Sequence, residues 1–103
     1  MIININQNNY NEYVNNNDNL IILDFFTKQC SPCKVLDKIL KEIDEQNQNI
    51  TICKIDIEEQ VDIAINFGIM SVPSIIILKN NSVLKKISGL KDKDFIQNLL
   101  NTL

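Results

Sequence analysis

Apolar residues enter this chain in two rhythms. Leu20 to Phe26 reads Leu-Ile-Ile-Leu-Asp-Phe-Phe, a run interrupted by one polar residue. A run without alternation suits a central strand of a parallel sheet, buried on both faces. Ile50 to Ile57 is a second strand, rich in β-branched side chains that fit a pleated surface. Ile2 to Ile5 predicts a short strand, and Ser74 to Leu78 and Val83 to Ser88 predict two more. The last two are joined by Lys79-Asn80-Asn81-Ser82, a hairpin turn in which asparagine tolerates positive φ.

Elsewhere the period lengthens to that of a helix. From Cys33 to about Gln46, Val35, Leu36, Ile39, Leu40 and Ile43 recur at spacings of one, three and four, opposite Lys38, Lys41, Glu42 and Glu45. That is an amphipathic helix. Glu58 to Phe67 carries Val61, Ile63, Ala64, Ile65 and Phe67 and reads as a short helix ended by Gly68. Asp92 to Leu103 gathers Phe95, Ile96, Leu99, Leu100 and Leu103 on one side of a closing helix. Gln7 to Asn17 is polar, with Tyr10, Tyr13 and Val14 at helical spacing, which predicts a surface helix fraying into solvated asparagines. The order β-α-β-α-β-α-β-β-α defines an α/β fold: a central mixed sheet of about five strands flanked by about four helices. There is no repeat and no linker, so residues 1–103 read as one domain, large enough to bury a core of its own.

Charge narrows the partners. The net charge is −3 and every positive side chain is a lysine, which argues against nucleic acid or an anionic membrane as ligand. The N-terminal Met-Ile-Ile-Asn-Ile lacks the basic segment and long apolar run of a signal peptide. No segment is long and apolar enough to span a bilayer. The expected location is the cytosol, where structural disulfides are rare.

In that setting Cys30-Ser31-Pro32-Cys33 is redox-active or metal-binding. Zinc prefers four cysteine or histidine ligands; the chain has one further cysteine and no histidine, so metal is the weaker alternative. With Cys30 at the start of a helix and Cys33 one turn on, the two sulfurs reach bonding distance. Pro32 fits the first turn, where a missing N–H costs nothing. The helix dipole and free backbone N–H groups favour a thiolate at Cys30. Cys30 is thus the attacking sulfur and Cys33, further inside, the resolving one. Asp24 interrupts its apolar strand just before this loop. A buried carboxylate is protonated or hydrogen-bonded and suits a proton acceptor; the alternative is a strand-end aspartate facing water. Lys54, on the neighbouring strand, either pairs with Asp24 or lies exposed. Cys53 points to the opposite face as a small core residue, with a regulatory thiol as the alternative. Val72-Pro73 marks a strand start or a special turn. Two glycines in all leave no Gly-x-Gly-x-x-Gly motif for a flavin or nicotinamide, so no cofactor is expected.

Leu23-Asp24-Phe25-Phe26, Cys30-Ser31-Pro32-Cys33-Lys34, Lys54-Ile55-Asp56, Phe67 to Ser74 and the late Gly89 together resemble the thioredoxin family over essentially the whole chain. The resemblance implies the thioredoxin fold, a cis Pro73 opposite the two cysteines, and a Val72 backbone offered to an extended substrate. It implies that Asp24, with Lys54 nearby, assists proton transfer at Cys33, and that Gly89 leaves room in the docking groove. It also implies a monomer that reduces the disulfides of client proteins and is recycled by a thioredoxin-reductase-type donor. A disulfide oxidase or isomerase, or a redox-inactive binding module, is the alternative on the same fold. Four positions depart from the family's habit. Ser31 replaces glycine in the pair that tunes redox potential. Gln29 replaces tryptophan on the docking surface. Lys38 replaces proline, predicting a straighter helix, and Asn81 replaces the hairpin glycine.

Overall fold

The run Leu20–Phe26 forms the middle strand of a five-stranded sheet, β2, and its alternate residues serve two separate cores. The computed structural model describes residues 1–103. Its elements are β1 (Ile2–Asn4), a π-helical turn (Asn11–Asn15), β2, α1 (Ser31–Gln46), β3 (Ile50–Asp56), α2 (Val61–Asn66), β4 (Ser74–Lys79), β5 (Ser82–Ser88) and α3 (Lys93–Asn101). The sheet order is β1-β3-β2-β4-β5. β3 runs parallel to both β1 and β2, while β4 is antiparallel to β2 and β5. The expected mixed sheet of five strands is present, and three α-helices with one π-helical turn make up its flanks.

Side chains alternate across a strand, and both faces of β2 are covered. Ile21, Leu23 and Phe25 pack with Cys53, Ile55, Ile76 and Leu78 beneath Val14 and Ile63. Ile22 packs on the other side with Ile52, Ile75 and Ile77 beneath Leu36, Leu40 and Ile43 of α1 and Ile96 and Leu100 of α3. Burial of each such side chain is worth about 1.5–3 kcal/mol. Asp24 shares the parity of Ile22, and Lys54 that of Ile52. Both therefore face α1, at the end of the sheet where that helix begins.

Several boundaries differ from the sequence expectation for local reasons. Helix α1 starts at Ser31 with Cys30 as its N-cap, the helix start expected for Cys30 though two residues ahead of the apolar repeat, and the Cys30 sulfur accepts the Cys33 N–H at 3.2 Å. Its buried stripe is Cys33, Leu36, Leu40 and Ile43, which leaves Val35 exposed. Helix α2 is only six residues long, too short to cover all its apolar side chains, and Val61 and Ile65 face solvent. Phe95 is likewise exposed, with the Lys91 ammonium 5.6 Å from its ring centre. The surface helix expected over Gln7–Asn17 is reduced to the π-helical turn. The Asn6 side chain accepts the N–H groups of Asn8 and Asn9 while that of Asn9 accepts the Asn6 N–H, the reciprocal capping that opens a helical segment, and the Tyr10 N–H donates to the Asn6 carbonyl at 3.1 Å. Nor are the asparagines merely solvated: Asn17 donates to the Tyr13 carbonyl and to the Thr51 hydroxyl, both at 3.0 Å.

Candidate functional site

The redox pair sits where β2 hands over to α1. Thr27–Gln29 turn the chain, and the Cys30 N–H donates to the Thr27 carbonyl at 3.4 Å. Cys30 is the N-cap of α1 and is partly exposed, Ser31 and Pro32 are exposed, and Cys33 is buried. The two cysteines form a disulfide, with Cα atoms 5.2 Å apart. Pro32 occupies the second helical position, whose N–H has no helical acceptor in any residue. The Cys33 N–H aimed at the Cys30 sulfur and the positive end of α1 both favour negative charge there.

Behind the pair lies a charged cluster. Asp24 is 1% exposed, and its Oδ2 accepts the Lys54 ammonium at 2.8 Å while its Oδ1 has no partner. Strand register makes the two residues neighbours on β2 and β3. The same ammonium donates to Asp37 Oδ1 at 2.6 Å and lies 4.6 Å from the centre of the Phe26 ring, where a cation is attracted to the aromatic face. Burial pushes the Asp24 carboxyl above the ordinary aspartate range, against the pull of Lys54. Burial disfavours charge on Lys54, but the two carboxylates outweigh it and raise its proton affinity. At Asp37 burial acts upward, yet hydrogen bonds from Lys54 and Lys41 hold the carboxyl below its usual range. A cleft of about 310 Å³ opens beside Cys33 and is lined by Phe26, Lys34, Asp37, Lys38 and Lys54.

The Val72–Pro73 peptide is cis. Pro73 is buried and its carbonyl accepts the Gly89 N–H at 2.9 Å. Gly89 has φ +87° and open space where a side chain would project. Gln29 and Met70 are exposed, Met70 almost fully. Cys53 is buried on the opposite face, where burial pushes its thiol up to about 12. Of the residues singled out from sequence, Asp24 and Lys54 are joined, and Pro73 and Gly89 are joined. Asp37 was not among them. Its signal was the spacing of four from Cys33 and four to Lys41, which places all three along one face of a helix.

A disulfide across the first turn of a helix, on a mixed sheet with a cis proline before β4, defines a thiol–disulfide site. Comparison with known proteins agrees. The family model described as Thioredoxin matches residues 1–102. The thioredoxin of Chlamydia pneumoniae is 37% identical over 82 residues, covering 80% of each chain. That of Bacillus subtilis (strain 168) is 34% identical over 85 residues, covering 82% of each. A single-site mutant of the thioredoxin from Halobacterium salinarum NRC-1 superposes with a TM-score of 0.89 over 98% of this chain and 88% of that one; at 24% identity it shows the shared fold alone. The chain belongs to the thioredoxin family and is a thiol–disulfide oxidoreductase.

Proposed function

We propose that the chain reduces protein disulfides, with Cys30 as nucleophile, Cys33 as resolving thiol and Asp24 as proton acceptor. The Cys30 thiolate attacks one sulfur of the client disulfide, forming a mixed disulfide and releasing a client thiolate. Asp24 takes the Cys33 proton. The Cys33 thiolate then attacks the Cys30 sulfur, closing the Cys30–Cys33 disulfide and releasing the second client thiolate. Two electrons pass from the dithiol to the client. A thioredoxin-reductase-type donor, of the kind the family generally works with, returns them.

The observation that carries this reading is the asymmetry of the pair. Cys30 caps the helix at the surface, whereas Cys33 is buried. Accessibility and electrostatics both favour the first sulfur as attacker. Ser31 and Pro32 set the local field of that thiolate, and Lys54 sets the charge at Asp24. Gln29, Val72, Pro73 and Gly89 form the groove for an extended client segment. The Val72 N–H and carbonyl take no part in the molecule's own hydrogen bonds, which supports a backbone docking role. On this reading the chain is a monomer working as a single domain over residues 1–103. With two of three cysteines in the redox pair and the third a free thiol, no framework disulfide is made, which suits a cytosolic setting.

Cys33→Ser and Cys30→Ser test the order of attack. Cys33→Ser is expected to accumulate mixed disulfides with client proteins on non-reducing gels, and Cys30→Ser to accumulate none. Trapping by Cys30→Ser alone would reverse the assignment.

A further inference from the structure

The Lys54 ammonium has two carboxylate partners on two different elements. Asp24 Oδ2, from β2, is 2.8 Å away, and Asp37 Oδ1, from α1, is 2.6 Å away. The other oxygen of Asp37 holds Lys41 at 3.1 Å. Asp37 is thus fixed from both sides, by a lysine of β3 and by a lysine one turn further along its own helix. We propose that Asp37 is a positioning residue for the dithiol chemistry: by sharing Lys54 it divides one ammonium between two carboxylates and sets how readily Asp24 takes a proton. This rests on the reading of Asp24 as proton acceptor for Cys33.

Three features of the geometry carry the inference. Both carboxylate oxygens touch one nitrogen, so the ammonium that would favour the ionised form of Asp24 is partly engaged by Asp37. Asp37 is bonded to Lys41 through one oxygen and to Lys54 through the other, contacts that favour its ionised form, so it competes steadily with Asp24 for the Lys54 ammonium. Asp24 has no substitute for the share of Lys54 it loses, since its Oδ1 is unpartnered. The remaining charged groups around the cluster do not supply one. Lys28 of the β2–α1 turn is paired with Glu59 at 2.6 Å. Lys34, Lys38 and Lys41 line the cleft from α1, and Lys41 bonds Asp37. Asp56 of β3 turns its carboxylate to the Glu58 N–H at 2.9 Å. On the β4 side, the strand neighbour of Asp24 is the apolar Ile75.

The test follows the side-chain carboxyl carbon of Asp24 by NMR against pH in the oxidised protein. Asp37→Asn keeps an oxygen for Lys54 and removes the charge; its Asp24 midpoint is expected to fall by about one pH unit. Asp37→Glu restores the charge and is expected to recover most of the shift. Lys54→Met is expected to move the midpoint upward, and Asp37→Asn added to it to have the smaller effect. An unchanged midpoint in Asp37→Asn overturns the proposal, as does a fall of the same size in the Lys54→Met background. Single-turnover resolution of a mixed disulfide, followed over the same pH range, separates this from the role of Asp24. If the rate profile moves with the midpoint, both readings stand. If the midpoint moves alone, the sharing of Lys54 stands and Asp24 is not the proton acceptor.

Discussion

Three cysteines in one small chain meet three environments, and their chemistry follows from place rather than type. Cys30 caps a helix at the surface, Cys33 is buried one turn on, and Cys53 lies within an apolar cluster with the Tyr13 carbonyl 4.0 Å from its sulfur. With its thiol raised to about 12 by burial, Cys53 has almost no thiolate at neutral pH. Alkylation of the reduced protein at pH 8, read by mass spectrometry, is expected to modify Cys30 first and to leave Cys53 unmodified until denaturant is added. Cys53→Ser should lose about 1–3 kcal/mol in urea unfolding, because the hydroxyl is a stronger polar group left without a close partner. Rapid labelling of Cys53 in the folded state would mean that the β3 core opens more readily than its packing implies. At this scale the sequence reveals the redox pair, Asp24 and the buried thiol, since each is a chemical oddity in its own stretch. Asp37 escaped because an aspartate on the wet side of a helix looks ordinary until β3 is laid beside it.

Elements were legible where local chemistry leaves little choice. Asn80 and Asn81 adopt φ of 51° and 64° and close β4 on β5 as a two-residue hairpin loop, the turn that their residue type favours. Asn81 thus does the work of the absent glycine. Gly68 ends α2 as expected, at φ +67°. Its N–H donates to Ile65 and the next N–H, of Ile69, to Ala64, which satisfies two carbonyls at the helix end. A side chain on Gly68 would meet nothing within 4 Å, so the whole penalty of Gly68→Ala is conformational, about 1–2 kcal/mol. Chemical denaturation is expected to show that loss with an unchanged slope. A much larger loss would point to a packing role for Gly68. What remained illegible was length and facing. Ile65 and Val35 carry the right period for burial, but α2 is one short turn and a half, and α1 touches the sheet along a narrower stripe than its apolar residues describe. The polar segment before β2 is helical as its tyrosine and valine spacing suggests, capped by Asn6 and Asn9, but its π-helical winding over Asn11–Asn15 leaves no mark in the residue pattern.

The molecule as a whole trades stability for chemistry through one strand. Because β2 is buried on both faces, its one ionisable residue has to be accommodated inside the fold, and the α1 face is where the redox pair is. Burial raises the proton affinity of Asp24 in the folded state, so the folded chain holds that proton more tightly than the unfolded chain does. Below the ordinary unfolded value of about 3.9 both states are protonated and Asp24 weighs on neither. As pH rises from there through the folded value, the unfolded state ionises first and the stabilising contribution of the bound proton is lost. Asp24→Asn removes this dependence without stranding Lys54, which keeps Asp37 at 2.6 Å. The variant is expected to be more stable than the parent by about 1–3 kcal/mol at pH 8, the order of a buried charged group with an unfilled acceptor. The difference should shrink steadily toward pH 4. Urea titrations at a series of pH values measure it directly. A variant less stable than the parent at pH 8 would mean that the Asp24–Lys54 pair outweighs burial, and that the strand is stabilised by its charge. Alongside the gain in stability, mixed-disulfide resolution in Asp24→Asn should slow most at neutral pH, where Cys33 depends on a neighbouring base to lose its proton. Greater stability with slower resolution in one variant would locate the cost of the redox chemistry at a single buried oxygen pair.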